Sequence, residues 1–313
     1  MGIINVENLT KKFGEVVAVD HINFTVKEGE IFGLVGLNGA GKTTTMLMLA
    51  SLFNQDSGSA TVCGYDNIKE KNDVRESIGF VFEEQSVDIY LTGKQNLDFH
   101  AGIYNLPKEV RDERVTNVLK TVGLANHTNI KVKDYSGGML RRLEIARGML
   151  TQPKVLFLDE PTIGVDVQTR RYLWDYLKKV NKELGMTVLL ATSYLDEADY
   201  LCNRVAILNE GKLVATGTPE DLKASKGEGL ISLKLSKGVE DDFISLVQEQ
   251  DYVEKIEKDD GWLNLSMKNR EVEIPEIVRF ARSNGFIISS INSHKPSLND
   301  VLLHYTGKRI EGE

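Results

Sequence analysis

Short apolar runs rich in β-branched residues alternate with longer segments of helical periodicity along roughly the first 220 residues. The apolar runs read EIFGLVG, IGFVF, KVLFLDE and TVLLAT. Runs without polar alternation are typical of strands buried on both faces, and the helical segments between them can serve as crossover connections. The pattern therefore predicts an α/β domain built on a mostly parallel sheet.

Two departures from this alternation predict the domain organisation. Between IGFVF and KVLFLDE the periodicity is helical with little strand signal, which predicts a helical subdomain at about 84–150. After the polar stretch KASKGEG the order becomes strand, helix, strand, strand, helix, strand, which is the order of a split βαβ sandwich. We therefore predict an α/β domain over 1–225 and a small α+β domain over 226–313.

Composition argues against two broad classes of protein. The chain has 313 residues and a formal net charge of −8, and it lacks an extended Lys/Arg cluster, so it is not expected to bind nucleic acid through a basic surface. No apolar run approaches the ~20 residues of a membrane-spanning helix, so any membrane role must come through a partner. Cys63 and Cys202 lack metal-ligand spacing and are expected to be apolar core residues of a reduced compartment.

The segment GLVGLNGAGKTTTM has the spacing of a phosphate-binding loop. From Gly36 to Thr43 it is a full G-x-x-x-x-G-K-T that follows an apolar run and precedes a helical pattern. Its glycines allow backbone N–H groups to close around phosphate oxygens. Lys42 is expected to bind the β- and γ-phosphates, and Thr43 to hold Mg²⁺. The predicted nucleotide-binding positions of this loop are Gly36, Asn38, Gly39, Gly41, Lys42, Thr43 and Thr44.

Two adjacent acids end the apolar run KVLFLDE. A strand of this kind delivers Asp159 to its carboxyl end, where a carboxylate coordinates Mg²⁺ directly or through water. Glu160 comes next and is placed to orient or deprotonate an attacking water. We therefore predict Asp159 as a metal ligand and Glu160 as the general base.

The segment YSGGMLRRLEIARGML points to a family. Ser136, Gly137 and Gly138 resemble the signature motif of ABC ATPases, and the spacing from loop to signature to LFLDEPT fits that family. Phe13 matches the aromatic position that stacks on adenine in these proteins. The small second domain and the ending PSLNDVLLHYTG resemble the drug-resistance, daunorubicin-type branch of ABC exporters, so the resemblance covers the whole chain.

The resemblance implies an ATPase that binds ATP and Mg²⁺ and powers an exporter of drugs, lipids or other small molecules. It implies a second ATPase subunit, identical or different, because in this family the Ser136 site of one subunit reaches the γ-phosphate held by the other. It also implies a separate membrane permease, which would hold the chain at the cytoplasmic face of the membrane. No nucleic-acid partner is expected.

The resemblance also suggests where the permease binds. In related transporters the stretch corresponding to 83–97 forms the groove for the permease's coupling helix, and here it contains Val87, Ile89, Tyr90 and Leu91 among polar residues. These four are expected to be exposed. The alternative is ordinary packing inside the helical subdomain.

Three positions depart from the family pattern. Glu83 stands at the glutamine position of the Q-loop, the loop after LFLDEPT keeps Asp166 without the usual leucine and proline, and Ser193 stands where a switch histidine is expected. Serine is expected to be too short to reach the γ-phosphate, and loss of one such transition-state contact typically costs about 10²- to 10³-fold in rate. Glu83 adds negative charge near the phosphates unless it binds Mg²⁺. Hydrolysis is therefore expected to be impaired more than ATP binding.

Two alternative functions remain at this point. A soluble ABC-class regulator of translation or DNA repair usually carries tandem ATPase domains, long coiled coils or a basic surface, and the sequence has none of these. A nucleotide-gated structural subunit, which binds ATP without turning it over, is supported by Ser193 and Glu83. Phosphate release measured with the permease would discriminate this structural subunit from a transport ATPase.

Overall fold

The computed structural model describes residues 2–225, 229–236, 240–259, 261–267, 270–294 and 296–306. The chain forms two compact units, Met1–Thr218 and Pro219–Glu313. This division falls a few residues before the boundary at 225 predicted above, because the short helix at Pro219–Ala224 belongs to the second unit.

The first unit is organised around a six-stranded sheet with strand order β10-β9-β3-β8-β7-β6. All neighbouring strands are parallel except β9 and β10. Every residue of β3, β7 and β8 is buried, which explains why these strands read as continuous apolar runs. The strands are β3 Ile31–Val35, β6 Ile78–Val81, β7 Val155–Asp159, β8 Thr187–Thr192, β9 Arg204–Asn209 and β10 Lys212–Gly217. The predicted α/β fold with a mostly parallel sheet is confirmed.

A second, antiparallel sheet lies in the same unit, with strand order β2-β1-β4-β5. Apolar residues of both sheets share one buried cluster, which includes Phe24, Phe32, Leu34 and Phe157. Burial of large side chains in this cluster fixes the strand ends that position the site. The strands are β1 Ile4–Phe13, β2 Val16–Val26, β4 Ser57–Val62 and β5 Tyr65–Asp66.

Seven α-helices accompany these sheets among the described residues of the first unit. They are α1 Lys42–Leu49, α2 Lys71–Ser77, α3 Gly93–Ile103, α4 Lys108–Thr121, α5 Gly137–Met149, α6 Val167–Leu184 and α7 Leu195–Leu201. Three of them, α3, α4 and α5, follow one another between β6 and β7, where the sequence has helical periodicity. A capping box between Thr92 and Gln95 fixes the start of α3, and the Ser136 side chain caps α5.

The second unit contains a four-stranded antiparallel sheet with strand order β12-β13-β11-β14. Phe243, Leu233, Leu263 and Ile277 form its core. Its elements are α8 Pro219–Ala224, β11 Gly229–Leu235, α9 Glu240–Val247, β12 Val253–Asp259, β13 Trp262–Met267, α10 Arg270–Ser283, β14 Ile288–His294 and α11 Leu298–Thr306. The order from β11 to β14 is the predicted split βαβ sandwich.

Within the part of the chain that the structure describes, no helix has both the length and the apolar character needed to cross a bilayer.

Candidate functional site

The phosphate-binding loop connects the end of β3 to the start of α1. Gly41 has a backbone φ of 101°, and a Cβ atom there would lie 2.4 Å from the Ala18 carbonyl oxygen of β2. A Cβ on Gly36 would lie 2.3 Å from the Leu208 carbonyl oxygen. Only glycine fits at these two positions, so the fold of the loop depends directly on the glycine spacing.

Lys42 is the buried cation of this loop. Its Nζ donates hydrogen bonds to the carbonyl oxygens of Gly36, at 2.9 Å, and Leu37, at 3.3 Å. The same Nζ lies 3.2 Å from Oε1 of Glu160, which is also buried. The ammonium group is therefore held beside the loop and paired with a carboxylate that an incoming phosphate would replace.

A cavity of about 270 Å³ opens at the loop. It is lined by Ala18, Asn38, Gly39, Gly41, Lys42, Thr43, Thr44, Glu83, Glu160 and Ile163. The structure thus brings together most of the predicted loop positions with the Q-loop position Glu83 and the candidate base Glu160. Ala18 and Ile163 were not predicted, since neither carries a polar group or a motif spacing.

Asp159 lies at the carboxyl end of β7, next to the start of α1. Thr43 Oγ1 donates a hydrogen bond to Asp159 Oδ1 at 3.2 Å. Burial raises the pKa of Asp159 to about 6, and the nearby Glu160 and Glu83 charges add to this effect while the Thr43 hydrogen bond opposes it. A bound divalent cation would relieve the cost of this buried charge.

The Thr43 and Asp159 oxygens fit a Mg²⁺ site in chemical type. A hydroxyl and a carboxylate are hard oxygen donors, and Mg²⁺ is commonly held by one or two carboxylates together with substrate phosphates. The described residues contain no cluster of three or more His, Cys, Asp or Glu side chains arranged to hold a metal by themselves. Glu83 as a third protein ligand therefore remains a prediction.

Glu160 is held at both carboxylate oxygens. Oε1 faces Lys42 Nζ, and Oε2 accepts hydrogen bonds from the Ser193 backbone N–H at 3.0 Å and from Ser193 Oγ at 3.2 Å. Its backbone has a φ of 45°, which is sparsely populated for a non-glycine residue, and its N–H donates to the Ala191 carbonyl oxygen at 2.8 Å. Ser193 therefore contacts the candidate base directly.

Ser136, Gly137 and Gly138 lie at the N-terminus of α5 and do not line the cavity. The Ser136 side chain accepts a hydrogen bond from the Met139 N–H at 3.3 Å, and Ser136 and Gly137 are exposed. A Cβ on Gly138 would lie 2.1 Å from Thr169 Cγ2, so this glycine allows α5 to approach α6 closely. The exposed helix start leaves backbone N–H groups accessible from outside the chain.

Phe13 is not part of the cavity. Its ring is 47% exposed at the end of β1, 5.9 Å from the Phe53 ring, with Lys11 Nζ 5.3 Å from its centroid. An exposed ring is available for stacking, but its adenine contact remains a prediction.

The stretch 83–97 is only partly exposed, which corrects one expectation. Ile89 and Tyr90 are exposed, the latter by 71%, whereas Leu91 is half-buried and Val87 is 8% exposed. The side chain of Asn96 accepts from the Asp88 N–H at 2.8 Å and donates to the Asp88 carbonyl oxygen at 2.9 Å. These two bonds hold the loop against the first turn of α3, next to the buried Val87.

A second cavity, of about 240 Å³, lies between the core sheet and the helical region. We call it the aromatic groove. It is lined by Ala50, Leu52, Arg75, Ile78, Gly79, Phe80, Phe82, His100, Tyr104, Arg147, Gly148 and Thr151. Burial, with a smaller effect of the Arg147 charge, lowers the pKa of His100 to about 4, so its ring is neutral near pH 7. The lining residues combine apolar and aromatic surface with two guanidinium groups.

Comparison with known families assigns both parts of the chain. Residues 19–163 match the family described as ABC transporter. Residues 217–306 match the family described as the C-terminal domain of DrrA1-3-like ATP-binding proteins.

Two curated relatives match over nearly their full lengths. The linearmycin resistance ATP-binding protein LnrL of Bacillus subtilis is 33% identical over 310 residues, which are 98% of this chain and 99% of that protein. The daunorubicin resistance ATP-binding protein DrrA2 of Streptomyces coeruleorubidus is 35% identical over 310 residues, which are 98% of this chain and 96% of that protein.

Solved structures give the same assignment for the first unit. The structure of cbiO1 from Clostridium perfringens, part of the ABC transporter complex cbiONQ, matches with a TM-score of 0.67 and 30% identity over 72% of this chain and 92% of that one. A dimeric, post-hydrolysis state of the ATP-binding cassette MJ0796 with ADP and Pi matches with a TM-score of 0.61 and 28% identity, over 69% of this chain and 98% of that one.

Proposed function

This chain belongs to the ATP-binding subunits of ABC transporters, and on that premise we propose that it hydrolyses MgATP in the 270 Å³ cavity and thereby drives a drug-exporting permease. The observation that carries the proposal is the meeting of Lys42, Thr43 and Glu160 at one cavity, with Asp159 hydrogen-bonded to Thr43 behind its wall. These groups supply phosphate binding, metal binding and a general base in a single place.

The residues of the cavity divide the work of hydrolysis. The loop N–H groups and Lys42 bind the phosphates, and Thr43 and Asp159 are the residues that would hold Mg²⁺. When bound, Mg²⁺ neutralises negative charge that develops on the phosphates. Phosphate beside Lys42 competes with Glu160 for the ammonium group, which frees Oε1 of Glu160 to accept a proton from the attacking water.

Ser193 keeps the other oxygen of Glu160 fixed during this step. Its N–H and hydroxyl both reach Oε2, so the carboxylate retains its orientation when the Lys42 contact is lost. This supports a role for Ser193 that is independent of a direct γ-phosphate contact. Because Glu160 stays oriented, we expect this chain to turn ATP over.

A second ATP-binding subunit completes the site. The exposed N-terminus of α5, with Ser136, Gly137 and Gly138, offers N–H groups to an anion outside the chain. We place there the γ-phosphate bound by the partner subunit, as the family resemblance implies. The partner is either a second copy of this chain or a related subunit.

The permease binds at the aromatic groove in this proposal. The groove contains exposed Leu52 and Tyr104, and Phe82 brings it next to the Q-loop position Glu83. A permease bound there would be connected to the nucleotide cavity through two adjacent residues, because Phe82 lines the groove and Glu83 lines the cavity. The chain itself would then lie at the cytoplasmic face of the membrane.

The exported substrate is inferred from the relatives. They are named for resistance to linearmycin and daunorubicin, which supports an antibiotic or similar small molecule as the exported substrate.

One observation favours a nucleotide-gated structural subunit as the second candidate. Both oxygens of Glu160 are engaged, by Lys42 and by Ser193, so the base is sequestered until nucleotide binds. If Lys42 stays on Glu160 after binding, ATP would close the dimer without being hydrolysed.

Nucleotide binding is tested by titration calorimetry of the purified chain with MgATP. Lys42→Ala should weaken binding by about 10- to 100-fold, because it removes charge-assisted hydrogen bonds to phosphate. Lys179→Ala is the matched control, since Lys179 is exposed on α6 and pairs only weakly with Glu183. Equal affinities of the two variants would show that the cavity is not the nucleotide site.

A further inference from the structure

Arg141 is a buried residue of α5 whose guanidinium group makes five hydrogen bonds. Nε donates to the Pro161 carbonyl oxygen at 2.6 Å, and Nη2 donates to the carbonyl oxygens of Asp159 and Glu160, each at 3.0 Å. Three consecutive carbonyl groups at the end of β7 are therefore held by one side chain. Only the fork of five N–H donors in arginine can do this.

These carbonyl groups belong to the turn that places the general base. Glu160 has a φ of 45°, a conformation that costs on the order of 1–3 kcal/mol and persists only where surrounding contacts impose it. The bond from the Glu160 N–H to Ala191 fixes one side of the turn. The three bonds from Arg141 fix the other side, so Arg141 helps to aim the Glu160 carboxylate into the cavity.

Glu144 holds Arg141 in place and extends the network to the Q-loop position. Glu144 Oε2 accepts from Arg141 Nη1 at 2.8 Å, and Oε1 accepts from the Ser86 N–H at 2.9 Å. Arg141 Nη1 also donates to the Phe82 carbonyl oxygen at 2.7 Å. The segment 82–86, which contains Glu83, is thus fastened at both ends to α5.

We propose that Arg141, oriented by Glu144, is a positioning residue for ATP hydrolysis. It joins the helix that begins at Ser136 to the backbone of Glu160 and to the loop of Glu83. A displacement of α5 is therefore passed to the general base without any contact between Arg141 and nucleotide. The inference rests on the proposed function, because it assigns Arg141 a role in the hydrolysis carried out by Glu160.

The test compares Arg141→Lys with Arg142→Lys in the purified chain, with steady-state phosphate release measured alone and with the permease. Lysine removes the fork at Arg141, so kcat should fall about 10- to 100-fold while KM and the MgATP Kd change little, as expected when a reacting group is misplaced. Arg142 is the matched control, since its guanidinium bonds to Gly138 and Val122 and not to the turn after β7. A kcat of Arg141→Lys equal to that of Arg142→Lys would overturn the proposal, as would a loss confined to Kd.

Hydrogen exchange gives a readout that does not depend on turnover. In Arg141→Lys, peptides covering 159–163 and 82–88 should exchange faster than in the parent, with the unfolding midpoint little changed, and Arg142→Lys should leave both peptides protected. Glu144→Gln, which preserves side-chain shape, should increase exchange mainly at 82–88. Unchanged exchange in both peptides would overturn the proposal. If the parent binds MgATP without releasing phosphate, the hydrolysis part of the proposed function is wrong. Hydrogen exchange at 159–163 would still decide whether Arg141 fixes the turn after β7.

Discussion

Ser193 donates two hydrogen bonds to a single oxygen of Glu160, one from its backbone N–H at 3.0 Å and one from its hydroxyl at 3.2 Å. The residue at the switch-histidine position therefore contacts the candidate base within the same chain. This geometry explains how a serine can serve at a position where a longer side chain is expected. A contact between this position and the γ-phosphate stays a prediction from the family resemblance.

Substitution of Ser193 should separate its contact with Glu160 from the γ-phosphate contact of a histidine. Ser193→His should raise kcat with little change in ATP affinity, because the ring restores a contact made mainly in the transition state. Ser193→Ala should lower kcat by a few-fold, since the hydroxyl bond is lost while the backbone N–H remains. Steady-state phosphate release with the permease measures both. If Ser193→His turns over no faster than the parent, the missing histidine does not limit the rate.

Glu83→Gln should also raise turnover. The change removes negative charge from the cavity wall, and it should act non-additively with Ser193→His because both affect one γ-phosphate site. Glu84→Gln is the control, since Glu84 is exposed and does not line the cavity. A lower rate for Glu83→Gln than for Glu84→Gln would indicate that the Glu83 carboxylate is needed, as a Mg²⁺ ligand would be.

The raised pKa of Asp159 predicts a pH-dependent stability. This pKa is about 6 in the folded chain and 3.8 in the reference state, so the folded chain holds the Asp159 proton more tightly. The contribution of this proton to the free energy of unfolding is complete below about pH 3.8 and is lost as pH rises through about 6. Asp159→Asn should therefore stabilise the metal-free, nucleotide-free chain at pH 7 by up to about 3 kcal/mol, with the gain fading below pH 6. Urea unfolding in a chelator measures this difference. A pH-independent difference would contradict a raised pKa of Asp159.

Permease binding at the aromatic groove should be weakened by added negative charge. Leu52→Glu and Tyr104→Glu place carboxylates on exposed apolar groove residues, so they should reduce co-purification with the permease while leaving MgATP affinity unchanged. Leu184→Glu, at an exposed position on α6, is the matched control. Val87 is unsuitable for this test because it is buried. Undiminished permease yield with both groove variants would place the permease elsewhere.

Much of the fold and the centre of the site could be predicted from local pattern. Three of the four continuous apolar runs correspond to fully buried strands, and Gly36 and Gly41 are required by backbone approaches of 2.3 and 2.4 Å. Asp159 ends a buried strand and Glu160 follows it, so their place at the sheet edge follows from their position in the chain. Motif spacing is sufficient where one short segment forms the whole feature.

Features that depend on distant segments could not be predicted in this way. Val87 is buried in a loop that Asp88 and Asn96 join to α3, and Ala18 lines the cavity because β2 passes beside Gly41. Arg141 showed no motif role in the sequence, because its partners lie about twenty residues later at the end of β7 and far earlier at Phe82. Such contacts arise from tertiary packing.

The role of Glu160 is tested most directly by phosphate release from Glu160→Gln beside the parent, at saturating MgATP and with the permease present. Glutamine preserves the shape of the side chain and removes its ability to accept a proton from water, so the account predicts that hydrolysis is abolished while MgATP binding is retained and the ATP-bound dimer accumulates. Glu210→Gln, outside the cavity, should match the parent. Phosphate release by Glu160→Gln at the rate of the parent would contradict the assignment of Glu160 as the general base and of this cavity as the site of hydrolysis.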